Sequence, residues 1–327
     1  MVFSYPPLLC VVVWLRAYST SSHSDVRALL GWGPYNAVPG HEGIGRVVSL
    51  GPNVDPSLLH ARVGIKWLYK ACGSCSTCGD GWPNNCPSQL NTGKGAVQGV
   101  LQQYAIGDAK YLTMVPDAVK SEIAAPLLCA GLSMAGAVGR LDGDMRAGEW
   151  LVLPGAGGGL GHIGLQIAAR VRGYNVIAVD TGDARRELCM RLGATAFVDF
   201  ATEDVEARVK ELTGGEGAKG IIVVPGSERA YELAPKLVKN RGIIVCVGLP
   251  KGGFNIPITP LDCANRGLVI KGSSTGNEAQ MQELFKYAID GTVLPIVEVQ
   301  DFERSGDILY MLKRDEVKGR IVVRIPQ

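Results

Sequence analysis

An excess of charge of one sign is missing from this chain: 33 Lys and Arg stand against 31 Asp and Glu, a formal charge of +2 over 327 residues. A balance that small gives no long-range pull on nucleic acid or anionic lipid. A basic-flanked leader and a clear membrane span are missing too. The segment that invites a membrane reading, Pro7 to Leu15, is far short of the ~20 apolar residues of a spanning helix. As a secretion signal the same run lacks a basic start, although Ala17-Tyr18-Ser19 resembles a weak cleavage site. Internal repeats and low-complexity tracts are absent. Aromatic residues are few, at 6%.

Glycine is abundant, with 43 residues against 18 prolines, which implies many tight turns and close backbone approaches. At ~150 residues per domain the length suggests two domains. Of nine cysteines, four fall between residues 72 and 86, and an odd total with one dense cluster points to metal ligation in a reducing cell. The expected location is the cytoplasm.

Residues 26 to about 125 are rich in turns, with short β-like runs at Gly45–Leu50 and Arg62–Trp67, and imply a mainly β domain. A helical stretch follows from about Ser121 to Leu141. From Glu149 the texture alternates. Strands are predicted at Trp150–Pro154, Val176–Asp180, Ala196–Asp199, Gly220–Val224, Gly242–Gly248 and Leu268–Lys271. Helices are predicted at Ile163–Arg170, Ala184–Leu192 and Glu278–Ala288. Strands separated by helices imply βαβ units and a parallel sheet, so the fold class is α/β. The tail Ile321–Ile325 has strand character, and a return to the first domain is one option for it.

The turn after the first of those strands reads Gly155-Ala-Gly-Gly-Gly-Leu-Gly161. Small residues at such a turn let the backbone approach a pyrophosphate, and the amides of the next helix stabilise its charge. Gly157, Gly158, Gly159, Leu160 and Gly161 are the candidate cradle. Asp180 ends the next strand, where a carboxylate accepts from both ribose hydroxyls and repels a 2′-phosphate, which favours NAD over NADP. Arg185 and Arg186 keep NADP open, since either could reach a phosphate.

Cys72-x2-Cys75-x2-Cys78-x7-Cys86 can close a tetrahedron of thiolates around Zn²⁺ with no open position, a structural site. Two disulfides and a nucleic-acid-binding zinc ribbon are the alternatives. The ribbon predicts basic neighbours. Lys66 and Lys70 precede the cluster, but Cys72 to Cys86 holds no Lys or Arg.

Together these stretches resemble the zinc-dependent alcohol dehydrogenases of the medium-chain family, close to the yeast-type enzymes. The resemblance is carried by His23-Ser-Asp25, Pro39-Gly-His-Glu-Gly-Ile-Gly45, Gly64-Ile-Lys-Trp67, the four-cysteine lobe, Ala125-Pro-Leu-Leu-Cys-Ala-Gly131, the glycine turn and Lys318-Gly-Arg320. It implies a GroES-like, mainly β catalytic domain at 1–130, a Rossmann NAD-binding domain at 131–274, and a segment 275–327 returning to the catalytic domain. It also implies a catalytic zinc held by His41, Cys129 and a cysteine just before His23, with a fourth position left for substrate. Alone, His41 would read as a packed histidine and Cys129 as a buried apolar residue; the surrounding motifs change that. By the same matching Asp25 orients a ligating imidazole, Glu42 sits behind the metal, Ser24 passes the alcohol proton outward and Ser133 lies near the nicotinamide. Trp67, with Trp32, walls the pocket, while His23 and Arg320 touch the cofactor phosphates.

Two positions depart from the family. Ser22 stands where the first zinc ligand is expected, and a hydroxyl is a far poorer ligand than a thiolate. Arg27 stands where relatives place the last histidine of a proton relay. Met1 to Ser22 is expected to be foreign to the family, with a truncated N-terminus. A misplaced start of the coding sequence, a damaged enzyme, or Glu42 as third ligand would each account for it. The expected function is NAD-linked interconversion of alcohols with aldehydes or ketones, using one structural and one catalytic zinc. The alternatives are a zinc-independent reductase of the same superfamily and a catalytically impaired NAD-binding protein. The expected partners are a small alcohol or aldehyde and further copies of the chain, as tetramer or dimer, with no nucleic acid and no membrane.

Overall fold

Alternation of buried and part-exposed side chains begins at the very start of the first strand: Val11, Val13 and Leu15 are buried while Val12 and Trp14 are half-buried. That is the period of a strand with one face on a core. A computed structural model describes residues 10–19, 26, 30, 31, 33–314, 316, 317 and 319–326, with backbone alone at 16–19. Fifteen strands occur among the described residues. In chain order they are β1 (Cys10–Ser19), β2 (Gly43–Leu50), β3 (Arg62–Ile65), β4 (Leu68–Lys70), β5 (Leu90–Asn91), β6 (Tyr104–Asp108) and β7 (Thr113–Met114). Then follow β8 (Trp150–Pro154), β9 (Asn175–Asp180), β10 (Ala196–Asp199), β11 (Ala218–Val223), β12 (Val238–Cys246) and β13 (Val269–Gly272). The last two are β14 (Val297–Asp301) and β15 (Arg320–Arg324).

The chain divides into two compact units. The first comprises residues 1–130, 277–289 and 295–327, and the second residues 131–276 and 290–294. In the first unit one sheet runs β14-β15-β1-β2-β3-β7, with β6 also paired to β1. β1 is therefore hydrogen-bonded on both edges, to β2 along its length, to β6 through its first half and to β15 through its last residues. Gly45 of β2 is required there, because a Cβ would stand 2.1 Å from the Trp14 carbonyl. Val11, Val13, Leu15, Val47, Val63, Ile65, Ile321 and Val323 form one core. For residues 10–19 this corrects the expectation that Met1 to Ser22 is foreign to the fold; residues 1–9 and 20–22 lie outside the described residues. Within that segment, Cys10–Ser19 is an interior strand, whose Val11, Val13 and Leu15 lie against that core.

In the second unit six strands form a wholly parallel sheet in the order β10-β9-β8-β11-β12-β13. Chain order reverses between β8 and β11, and open parallel sheets bind ligands beyond the carboxyl ends of their strands at such a switch point. Val152, Ile177, Val198, Ile221 and Ile244 are fully buried, as both-face coverage demands. Helices Gly161–Gln166, Asp183–Leu192, Val205–Leu212 and Glu228–Leu237 supply the crossovers.

The helical run 121–139 is apolar and long enough to cross a membrane by composition, yet 78% of its apolar window is buried within the protein, which makes it a core helix. It is not a uniform α-helix. Ser121–Pro126 gives way to a π-turn at Leu127–Gly131 before Leu132–Gly139 resumes. Proline at 126 has no amide proton, and wide turns of this kind recur at functional sites.

If β1 is integral to the core, Leu15→Ala lowers unfolding stability by about 2–5 kcal/mol. Urea denaturation reads this directly, and a loss under about 0.5 kcal/mol would contradict the placement.

Candidate active site and metal centres

The four-cysteine lobe hangs between β4 and β5, folded by a short helix at Ser76–Gly79 and a 3-10 turn at Pro83–Asn85. Its sulfurs all lie within 4.8 Å of one another, with Cys86 to Cys72 at 3.5 Å and Cys72 to Cys78 and Cys75 to Cys86 at 3.9 Å. Tetrahedral zinc with sulfurs at ~2.3 Å separates them by about 3.8 Å, so the residues fit the ion. The Cys75 amide donates to the Cys72 sulfur at 3.3 Å and the Cys72 amide lies 3.5 Å from the Cys86 sulfur. Amides of Ser74 and Cys75 bring the Cys72 thiol down to about 6, while desolvation pushes Cys78 up to about 12. The backbone thus favours the thiolate at Cys72, and burial favours the neutral thiol at Cys78. All nine cysteines are free thiols.

The second cluster is built around the loop that leads into β2. His41 is buried, and its Nε2 lies 3.3 Å from the sulfur of Cys129. Cys129 sits on the π-turn of the long helical run. Nitrogen and sulfur ligands of one tetrahedral zinc stand about 3.5 Å apart, so this pair also fits the ion. Trp67, between β3 and β4, meets the imidazole edge to face, with ring centres 4.9 Å apart at 77°. Among the described residues, the four-cysteine lobe is the one place where three or more ligating side chains converge.

Glu42 and Arg320 take unexpected places. Both are fully buried, and Arg320 donates through Nη2 to both carboxylate oxygens of Glu42. Glu42 Oε1 also accepts from the amide of Ala130 at 3.2 Å. The structure thus turns Glu42 toward Arg320 rather than joining it to His41 and Cys129 as a third ligand. The guanidinium expected at a cofactor phosphate is thus bound through Nη2 to this carboxylate.

In the second unit the glycine turn links β8 to helix Gly161–Gln166. Gly155 has φ +70°, and a Cβ on Gly161 would stand 2.0 Å from the Gly155 carbonyl, so both positions require glycine. Asp180, at the carboxyl end of β9, is buried and accepts from the Gly157 amide at 2.8 Å, the Thr181 amide at 3.0 Å and Arg185 Nη1 at 2.7 Å. Bringing the carboxylate onto the glycine turn is the arrangement that lets one residue hold a ribose beside a pyrophosphate. Arg185, expected near the cofactor, is held to Asp180. Ser133 is buried in helix Leu132–Gly139. Ser22, His23, Ser24, Asp25, Arg27, Trp32 and Lys318 lie outside the described residues.

Sequence spacing did not reveal the Trp67–His41 contact, nor Lys94, whose ammonium lies 5.5 Å from the centres of both Tyr35 and Trp67. A buried lysine was also missed: Lys66 Nζ donates to Thr113 at 2.7 Å and to Glu278. These partners are distant along the chain, and no local pattern joins them.

Comparison with known proteins places the chain among the alcohol dehydrogenases. Residues 11–117 match the alcohol dehydrogenase GroES-like domain and residues 159–290 the zinc-binding dehydrogenase domain. The first match begins inside β1, which again places that strand with the family. An alcohol dehydrogenase of Geobacillus stearothermophilus is 37% identical over 307 residues, covering 93% of this chain and 88% of that protein. One from Schizosaccharomyces pombe is 35% identical over 311 residues, covering 94% and 87%. Among solved structures, the alcohol dehydrogenase of the archaeon Aeropyrum pernix superposes with a TM-score of 0.88 at 26% identity, covering 100% of this chain and 96% of its own.

Removing Arg320 alone tests the buried pair. Arg320→Met strands a buried carboxylate and is expected to cost about 3–5 kcal/mol in urea denaturation, with part recovered in the double variant carrying Glu42→Gln. A loss below about 1 kcal/mol, or no recovery, would contradict the pairing.

Proposed function

The chain belongs to the zinc-dependent alcohol dehydrogenase family, and from that premise we propose how its own residues carry the reaction. It is an NAD-linked oxidoreductase that interconverts alcohols with aldehydes or ketones. The observation that carries the residue assignment is the approach of His41 Nε2 to the Cys129 sulfur at 3.3 Å, beside the wall formed by Trp67.

His41 and Cys129 would hold the catalytic zinc, and the four cysteines of the lobe a structural one. When bound, zinc supplies Lewis acidity that favours loss of the alcohol proton, and NAD accepts the hydride from the carbinol carbon. Trp67 excludes water from the side it covers and fixes the imidazole plane. Glu42 accepts from the amide that follows Cys129 and neighbours His41 in sequence, so it acts as a positioning residue that ties both ligand segments together. The turn at Gly157–Gly161 would cradle the pyrophosphate, Asp180 would accept from the ribose hydroxyls, and Ser133 would lie near the nicotinamide. In this reading Ser24 receives the alcohol proton, Asp25 orients a ligating imidazole, and His23 reaches a cofactor phosphate.

The same reading extends to assembly and location. Strand β13 leaves one edge of its sheet unpaired among the described residues, with Val269 and Ile270 each more than two-fifths exposed. An apolar edge of this kind supports pairing with a second copy of the chain. A lobe of four metal-ligating cysteines supports a reducing, cytoplasmic setting.

NADH formation from short primary alcohols tests the assignment. His41→Ala is expected to lower kcat/KM by about a thousandfold or more, the scale of lost metal polarisation. Asp180→Ala is expected to raise KM for NAD about tenfold or more, the scale of charge-assisted hydrogen bonds to the ribose. Wild-type rates in either variant would overturn its assigned role.

A further inference from the structure

Lys94 lies in Asn91-Thr92-Gly93-Lys94-Gly95, a loop held from two sides. Toward residues 34–36 it forms an isolated antiparallel bridge with Tyr35, flanked by the bonds from Gly95 to the Pro34 carbonyl at 2.7 Å and from Asn36 to the Gly93 carbonyl at 2.9 Å. Toward the metal site, the Thr92 amide donates to the Trp67 carbonyl at 2.9 Å and the buried Thr92 hydroxyl to the Lys66 carbonyl at 2.7 Å. These bonds fix the lysine backbone between the two aromatic residues. Its ammonium stands 5.5 Å from the centre of each ring. The aromatic faces compensate part of the water that a half-buried ammonium gives up. No carboxylate among the described residues pairs with it.

Trp67 carries this cation to the reacting site. Its ring faces the ammonium at 5.5 Å and meets the His41 ring at 4.9 Å, which together place the charge within about 10 Å of the imidazole. A cation held by aromatic rings beside an alcohol site gains nothing from a neutral alcohol. An anionic substrate gains an ion pair. One ammonium matches one negative charge, whereas a phosphoryl group draws on several donors.

We infer that Lys94 is a specificity-determining residue whose ammonium, clamped between Tyr35 and Trp67 beside His41, recognises a carboxylate on the substrate, so that the preferred alcohols are hydroxy-carboxylates. That upper limit on the separation keeps the spacer between carbinol and carboxylate short, at most about four methylenes with ~3 Å allowed for the ion pair itself. The reaction balances as for any alcohol of the family. The carbinol C–H bond breaks with its hydride passing to NAD, the hydroxyl proton leaves to solvent, and the carbinol becomes an aldehyde that keeps its carboxylate. This inference rests on the reading of His41 and Cys129 as the reacting site.

The test compares 4-hydroxybutyrate with 1-butanol, of equal carbon count, in wild type, Lys94→Met and Lys94→Arg. Calorimetric titration of 4-hydroxybutyrate into each zinc-loaded protein gives a readout independent of turnover. Wild type is expected to prefer 4-hydroxybutyrate in kcat/KM by about tenfold or more, the scale of a partly shielded ion pair. In Lys94→Met that ratio collapses through KM, the calorimetric affinity falls in step, and Lys94→Arg restores both. Equal use of the two alcohols by wild type would overturn the inference. So would an equal fall for both in Lys94→Met, which marks the lysine as a clip between loops and nothing more. If no variant oxidises either alcohol, the metal-site reading has failed. Calorimetry then decides for Lys94: binding lost in Lys94→Met sustains the carboxylate site, and absence of binding in wild type overturns it.

Discussion

Two charges that water does not reach hold the first unit in register. Glu42 and Arg320 stand 278 positions apart and are both fully buried, joined through the arginine Nη2. A buried carboxylate without a cation would be intolerable, so the end of the chain must arrive at this spot for the beginning to fold. What depends on it is local. Glu42 follows His41 directly, and it accepts from the amide of Ala130, the neighbour of Cys129. One carboxylate therefore gathers the two segments that bring the metal-ligating nitrogen and sulfur within 3.3 Å, and one arginine neutralises it.

Around that point the remaining constraints are steric. β1 is flanked on both edges, and Gly45 is the residue that allows its carbonyl at Trp14 to come so close. The π-turn at Leu127–Gly131 lets the helical run present Cys129 without ending. In the second unit the Gly155–Gly161 turn requires glycine at both ends, by backbone conformation at Gly155 and by space at Gly161, and Asp180 reaches back to the Gly157 amide. Each unit thus carries one half of the chemistry on a rigid turn next to a strand end, the setting in which small displacements cost most.

Much of this was legible in the residues because the second unit is made of signals that act locally. Short apolar runs closed by turn residues marked β8, β9, β10 and β11 to within about two residues, and the Gly155–Gly161 turn lay where a strand meets a helix. The cysteine lobe was legible from spacing alone. β1 was not, because Pro7–Leu15 is a continuous apolar run, and such a run has the same composition in a buried strand as in a leader. Helix Ser305–Lys313 and strand β14 went unread for lack of strong periodicity. Glu42 and Arg320 were marked as site residues, but their pairing depends on tertiary closure. The same holds for Lys94, which owes its place to a bridge with Tyr35 nearly sixty positions away.

The zinc content of the purified chain, prepared without chelator, tests the account most directly. Two zinc ions per chain are predicted, with His41→Ala retaining one and Cys86→Ala retaining the other. One zinc per chain, unchanged by His41→Ala and lost in Cys86→Ala, would contradict it, because the approach of His41 to Cys129 would then be packing and not a metal site.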